Sequence, residues 1–258
     1  MHARPRWDVA AYARFADQRL RPALDLIGRI PDIAPKTIVD LGCGPGSVTR
    51  VLAQRWPHAR VTGIDDSAAM LAAARREGGP IRWLQADLAD WEPDDQPELI
   101  FSNAALHWLD DHEALFPGLL AMLPAGGILA VQMPDNFTQP SHQAIFALAV
   151  DERWRERLAP LLRASPVAPA EAYLQMLLPR TAHLDLWETT YWHVLDGEDP
   201  VPAWTSGSAL RPFLGVLKED ERRGFLAAYA QAMRSAYPRR ADGRTVFPFR
   251  RLFIVATR

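Results

Sequence analysis

With 258 residues and a formal net charge of −2, the chain suits one α/β domain with insertions or a cap, and it lacks the basic tract that a nucleic-acid partner requires. Its only cysteine, Cys43, excludes an internal disulfide and points to a reducing, cytoplasmic setting. No apolar run approaches membrane-spanning length, and Met1–Trp7 leads into charged residues rather than an apolar signal region, so no membrane partner is expected.

Asp8–Arg29 reads as an amphipathic helix with Tyr12, Phe15, Leu20, Leu24 and Ile27 as its apolar members. It also carries Arg14, Arg19 and Arg21, so it either covers a ligand or simply packs. Pro31 and Pro35 close it. Thr37–Leu41 is apolar and partly β-branched, as a strand covered on both faces should be. Gly42, Gly44 and Gly46 follow at alternate positions around Cys43, then Ser47, an expected cap for a helix through Trp56 that Pro57 stops.

Alternating glycines between strand and helix let a ligand approach the backbone without meeting a Cβ. The spacing is G-x-G-x-G, with Ser47 where the dinucleotide fingerprint G-x-G-x-x-G has its third glycine. Asp40 precedes the turn; a carboxylate there repels a pyrophosphate and suits a ligand amine. That combination is the pattern of S-adenosylmethionine (AdoMet) methyltransferases, in which the acid takes the methionyl ammonium and the glycine loop passes under the ribose. A bare tight turn is the alternative.

Ala59–Asp65 is the second expected strand. Asp65 lies roughly 20 residues past the glycines, where a doubly wound fold expects a carboxylate for ribose hydroxyls. Asp66 and Ser67 beside it can cap the next helix, Ser67–Arg76, in which Met70 can touch an adenine or the core. Ile81–Asp87 is the third strand; Asp87 can accept from an adenine amino group or cap a loop. Glu98–Ala105 is the fourth, running into Leu106–Leu109. Ligands in open α/β sheets lie beyond the carboxyl ends of the strands, which puts Asn103, Ala104, His107 and Trp108 at the reaction edge.

Asp111–Leu123 reads as a helix and Ile128–Pro134 as the fifth strand. The alternation of strand and helix predicts a doubly wound, mostly parallel sheet. Beyond it, Gln143–Arg163 reads as one long helix, Ala182–Leu195 as a strand, Pro200–Tyr237 as helix broken near Gly207 and Pro212, and Arg251–Thr257 as a final strand. The expected whole is a seven-stranded Rossmann-like methyltransferase domain. Residues 1–36 form a helical cover, 37–134 the cofactor-binding half, and 135–181 and 196–248 helical cap insertions in which Trp204, Arg211, Phe213 and Tyr229 can face a pocket.

Several blocks are narrower than the glycine motif: Trp7, Tyr12, Phe15, Arg19 and Arg21-Pro22; Asp40–Gly46; Val131-Gln132-Met133-Pro134-Asp135-Asn136; Leu210-Arg211-Pro212; and Arg251–Ala256. On these, over nearly its whole length, the chain resembles the trans-aconitate 2-methyltransferase family of class I AdoMet-dependent enzymes. Ser47 replaces the Asn usual after the glycines and Asp66 replaces a Ser, both conservative for capping. The resemblance implies methyl transfer from AdoMet to a carboxylate of trans-aconitate, giving a monomethyl ester and S-adenosylhomocysteine.

A carboxylate acceptor is already ionised at neutral pH, so neither a general base nor a metal is expected, and His107 and Trp108 are read as positioning residues. Carboxylates that do not react need cationic partners, typically Arg. Arg211 and Arg251 match the family blocks and are the expected clamp, with Arg19 or Arg21, Tyr12 and His193 as further substrate-binding candidates; surface salt bridges are the alternative for each Arg. The expected partner is a small polycarboxylate, and a monomer or weak homo-oligomer is expected. An NAD-dependent dehydrogenase is disfavoured by the glycine spacing. An amino-directed nucleic-acid methyltransferase is disfavoured by Ser102-Asn103-Ala104-Ala105 in place of an Asn/Asp-Pro-Pro-aromatic run. A non-catalytic AdoMet-binding module needs no cap rich in Arg and Trp, and a methyltransferase acting on another small carboxylic acid or small metabolite stays open.

Overall fold

The computed structural model describes residues 16–258, with side chains from Leu20 onward. Tyr12 and the side chain of Arg19 therefore lie outside the described residues. The chain divides into two compact units, each interrupted in sequence.

The larger unit comprises 16–134, 166–189 and 251–258. It opens with helix α1 (Ala16–Arg29), whose inner face is Ala23, Leu26 and Ile27, with Ile30 buried just beyond its end. The spacing of three and four residues is that of one helical face. Leu24, expected on that face, is 45% exposed, because Leu26 takes the inward position. The doubly wound core follows in chain order: β1 (Thr37–Leu41), α2 (Ser47–Arg55), β2 (Arg60–Asp65), α3 (Ala68–Arg76), β3 (Arg82–Gln85), β4 (Leu99–Asn103), α4 (His112–Met122) and β5 (Ile128–Pro134). β1 lies between β2 and β4, and β5 beyond β4, all paired parallel. β1, β4 and β5 are buried almost end to end, as parallel strands covered on both faces must be.

The sheet closes on β6 (His183–Leu195) and β7 (Thr245–Thr257), giving the order β3-β2-β1-β4-β5-β7-β6. β7 runs antiparallel to β5, pairing Ile128 with Thr257 and Pro134 with Arg251. The two narrow sequence blocks, Val131–Asn136 and Arg251–Ala256, are thus opposite strands of one ladder. The expectation of seven strands in a mostly parallel sheet agrees with this. In this unit one core cluster takes in Leu41, Ile64 and Ile100 of the strands together with Phe116, Leu129, Tyr173 and Ile254.

The second unit comprises 135–165 and 190–250. It holds α5 (Pro140–Ala149), α6 (Arg155–Leu158), α8 (Pro200–Ser206), α9 (Arg211–Val216) and α10 (Glu219–Ala236) around its own core of Trp154, Trp204, Phe213, Phe225, Tyr229 and Phe247. α7 (Ala170–Leu177) belongs to the larger unit.

Local differences from the expectations have identifiable causes. The helix expected over Gln143–Arg163 stops at Ala149, with Asp151 folded onto its own neighbour: Oδ1 accepts from Arg153 N (3.0 Å) and from Arg153 Nε (2.9 Å). Such local side-chain bonding competes with a helix. Pro212 starts α9 rather than breaking a helix, since a first-turn proline lacks only an N–H that would be unbonded. Ser47 is the first helical residue of α2, and the cap is Gly46 in a left-handed conformation, with no side-chain cap bond. β7 begins at Thr245 rather than Arg251; burial alternates from Thr245 to Arg250 and is continuous from Arg251 to Ala256. Periodicity therefore changes at the unit boundary, and only the continuous half stands out as an apolar run.

Candidate active site

The turn after β1 is built by three left-handed glycines, Gly42 (φ 75°), Gly44 (φ 54°) and Gly46 (φ 81°), a region L-residues rarely adopt. The amides of Gly42 and Cys43 both donate to Ile64 O on β2, at 2.8 and 2.9 Å. A Cβ on Gly42 would stand 2.1 Å from the Ala105 Cβ, and one on Gly46 2.4 Å from the Trp83 ring. A Cβ on Gly44 would meet nothing within 4 Å. The outer two glycines are therefore demanded by packing, whereas Gly44 leaves the backbone bare toward open space.

Two acids face this turn from the ends of adjacent strands. Asp40 is 2% exposed; its Oδ2 accepts from the Thr49 hydroxyl at 2.6 Å. Burial pushes its pKa up to about 7, against the Thr49 hydrogen bond and with the help of the Asp65 charge. Asp65 is 8% exposed and takes the Gly44 N–H on Oδ2 and the Ser67 N–H on Oδ1, both at 2.9 Å. Burial raises its pKa, opposed by those two N–H donors. Among the described residues neither carboxylate has a cationic partner. Two buried acids with no cation beside a bare glycine backbone fit a ligand that brings an ammonium and hydroxyl donors, which are the groups AdoMet carries. Burial first, then the two acids, pushes the Cys43 thiol up, so it stays a small packed apolar group.

The remaining cofactor candidates occupy the same carboxyl ends. Met70 is 2% exposed on the inner face of α3, whose cap is Ser67, accepting from Met70 N at 3.3 Å. Asp66 is half-buried between them, and its carbonyl accepts from Gln85 Nε2 at 3.1 Å. Asp87 accepts from Ala89 N at 3.1 Å, so at least one of its oxygens shapes the loop after β3. Asn103 ends β4, and Ala104 follows with a positive φ of 56°. A non-glycine residue there costs energy and persists only where its surroundings hold it. Here the Ala104 amide donates to Gln132 O at 2.9 Å, while Ala105 packs against Gly42. His107 and Trp108 share the single turn Leu106–Trp108, their rings 4.9 Å apart.

Of the substrate candidates, Arg251 belongs to this unit. It is 3% exposed at the Pro134 end of β5, and its NH1 donates to Gln132 Oε1 at 3.1 Å. Arg211 and His193 belong to the other unit. Arg211 starts α9, and His193 lies 4.6 Å from the Trp204 ring and 6.3 Å from that of Phe249. Arg250, next to the buried Arg251, is tied by Asn136, whose Oδ1 accepts from Arg250 N at 3.0 Å and whose Nδ2 donates to Arg250 O at 2.9 Å. The Asp135 carboxylate adds an ion pair to the Arg250 guanidinium at 2.5 Å. The reading of candidate residues missed Thr49, Trp83 and Gln132. Gln132 had a signal, as the one polar side chain inside the apolar strand Ile128–Pro134.

A family profile described as a methyltransferase domain matches residues 38–127. The trans-aconitate 2-methyltransferase of Azoarcus sp. strain BH72 is 46% identical over 254 residues, covering 98% of this chain and all of that protein. The enzyme of the same name from Streptomyces coelicolor is 48% identical over 263 residues, covering 98% of this chain and 86% of its own length. Among solved structures, the YcgJ protein from Bacillus subtilis superposes with a TM-score of 0.58 at 14% identity, over 92% of this chain and 98% of its own, a likeness of fold.

Proposed function

Because the chain belongs to the trans-aconitate 2-methyltransferase family, we propose that it transfers the methyl group of AdoMet to a carboxylate of trans-aconitate, giving a monomethyl ester and S-adenosylhomocysteine. The observation that carries this reading is a pairing of opposite needs within one unit. At the carboxyl ends of the parallel strands, buried Asp40 has no cationic partner among the described residues and suits an ammonium, and buried Arg251 carries a guanidinium of the kind that suits a carboxylate.

When bound, AdoMet supplies a methyl group on a sulfonium that needs no further activation. A carboxylate acceptor is ionised at neutral pH, so the chain has no proton to remove from it. Its task is to hold the acceptor oxygen in line with the methyl group and keep water away, catalysis by proximity and orientation. Asp40, Asp65 and the Gly42–Gly46 turn would hold the cofactor. Arg251 would hold a carboxylate that does not react, through the planar fork that matches one. His107 and Trp108, on the turn after β4, would position the acceptor. Arg211 and His193, in the other unit, carry over from the sequence as substrate-binding candidates, read out by the kinetics of Arg211→Lys. The same reading makes the protein a cytoplasmic monomer or weak homo-oligomer, with residues 135–181 and 196–248 serving the substrate.

Methyl transfer from labelled AdoMet over a panel of di- and tricarboxylic acids tests the proposal. Trans-aconitate should be the best acceptor, its product a base-labile monomethyl ester. A higher kcat/KM for an amine, a phenol or another acid overturns it. With cofactor saturating, kcat should stay flat from about pH 6 to 8, and His107→Ala should lose less than roughly tenfold, because no base is needed.

A further inference from the structure

Gln132 lies at the heart of this end of the sheet. It is fully buried on β5, paired in register with Asn103 of β4 and with Phe253 of β7. Its backbone carbonyl holds the Ala104 amide. Its side-chain Oε1 accepts from Arg251 NH1 at 3.1 Å. A guanidinium has donors and no acceptor, so this contact fixes which way the amide faces. The carbonyl points to Arg251 and the NH2 group points away from it. No acceptor among the described residues reaches Gln132 Nε2, and the atom is buried. The neighbouring Asn103 Oδ1 is buried without a donor in the same way. Buried amide groups are rarely left so, and each such atom calls for a partner that the described residues do not supply.

We propose that Gln132 is a specificity-determining residue that donates from Nε2 to a carboxylate of the acceptor substrate, with Arg251 as the group that orients it. This deepens the methyltransferase reading and rests on it. An oriented neutral donor suits a carboxylate oxygen: it adds direction where the neighbouring guanidinium adds charge. Removing it leaves the glycine turn and its two acids in place, so the loss falls on the acceptor rather than on the cofactor. The other source of a carboxylate is the amino-acid end of AdoMet itself, and the experiment separates the two.

The test uses the full-length chain with Gln132→Met, which keeps the volume and removes the donor, and Gln132→Glu, which keeps a partner for Arg251 and opposes an anion. KM for trans-aconitate should rise roughly tenfold to a hundredfold in both, with a smaller change in kcat, as expected for losing a hydrogen bond to a charged group. The AdoMet dissociation constant, read by calorimetry without turnover, should stay within about twofold of wild type. In the wild-type chain, the Gln132 side-chain amide resonances should shift when trans-aconitate is added to the S-adenosylhomocysteine complex, a check that needs no variant. Unchanged KM in folded variants, or unmoved amide resonances, overturns the assignment. Weakened AdoMet binding with unchanged KM also overturns it, since the carboxylate would then be the cofactor's. If wild type prefers another carboxylic acid, the family reading fails, while the same KM and resonance measurements on that acid still decide for or against Gln132.

Discussion

A carboxyl group whose folded pKa is about 7 is a liability in the empty protein and an asset in the loaded one. For Asp40 that value lies above the ordinary 3.8, chiefly through burial, so the folded chain holds a proton that the unfolded chain has released. Stability of the ligand-free protein therefore falls as pH rises from about 4 to about 7 and then levels off. Asp40→Asn is neutral throughout and removes that slope. Its thermal stability relative to wild type should improve from about pH 4 to about pH 7 and change little above that, and a gap that does not vary with pH would exonerate Asp40. AdoMet binding has the opposite sign: an ionised Asp40 suits the ammonium, so affinity should increase from about pH 6 to 8 in wild type and be weaker and flat in Asp40→Asn. For Arg251 the informative change is Arg251→Lys, which keeps the charge and loses the fork. It should cost roughly 2–4 kcal/mol in kcat/KM with trans-aconitate while AdoMet binding holds, and wild-type efficiency in that variant would remove Arg251 from the site.

Within the turn joining β1 to α2, neighbouring glycines answer to different constraints. At Gly42 a methyl group meets the Ala105 Cβ at 2.1 Å and the backbone is left-handed as well. Gly42→Ala should lose about 2–4 kcal/mol of stability, the sum of a left-handed alanine and an overpacked contact. At Gly44 the backbone is also left-handed but the added methyl meets nothing. Gly44→Ala should cost only about 1 kcal/mol of stability and yet weaken AdoMet roughly tenfold or more, because the methyl fills space a ligand needs. Urea denaturation and calorimetry on the two variants check this contrast; equal losses in both properties would mean that Gly44 is purely structural.

Across the whole molecule, the parallel pairing of β1 to β5 puts their carboxyl ends on one side of the larger unit, and the cofactor candidates come from those ends or from the turns and helix that follow them. A ligand that binds only the folded chain stabilises it by mass action. S-adenosylhomocysteine at about a hundredfold over its Kd should add about 2.7 kcal/mol, several degrees in Tm for a chain of this size. NAD at the same concentration should add nothing, since two acids and a glycine turn lacking the third fingerprint glycine oppose a pyrophosphate. Equal stabilisation by NAD in a thermal-shift series would reopen the dinucleotide alternative.

The fold class and the glycine turn with its two flanking acids were legible in the sequence because their signals are local. A strand ending in an acid, a turn of alternating glycines and a second strand ending in an acid each span fewer than about ten residues, within reach of hydrophobic period and capping chemistry. The tertiary structure decided what depends on distant partners. The break after Ala149, the helix Ala170–Leu177 and the early start of β7 at Thr245 are set by packing and competing hydrogen bonds, which leave the local period ambiguous. Gln132 and Arg251 are 119 residues apart, and only strand pairing brings them into one hydrogen bond. That the glutamine amide faces one way follows from the chemistry of its partner, a relation that exists only once the chain has folded.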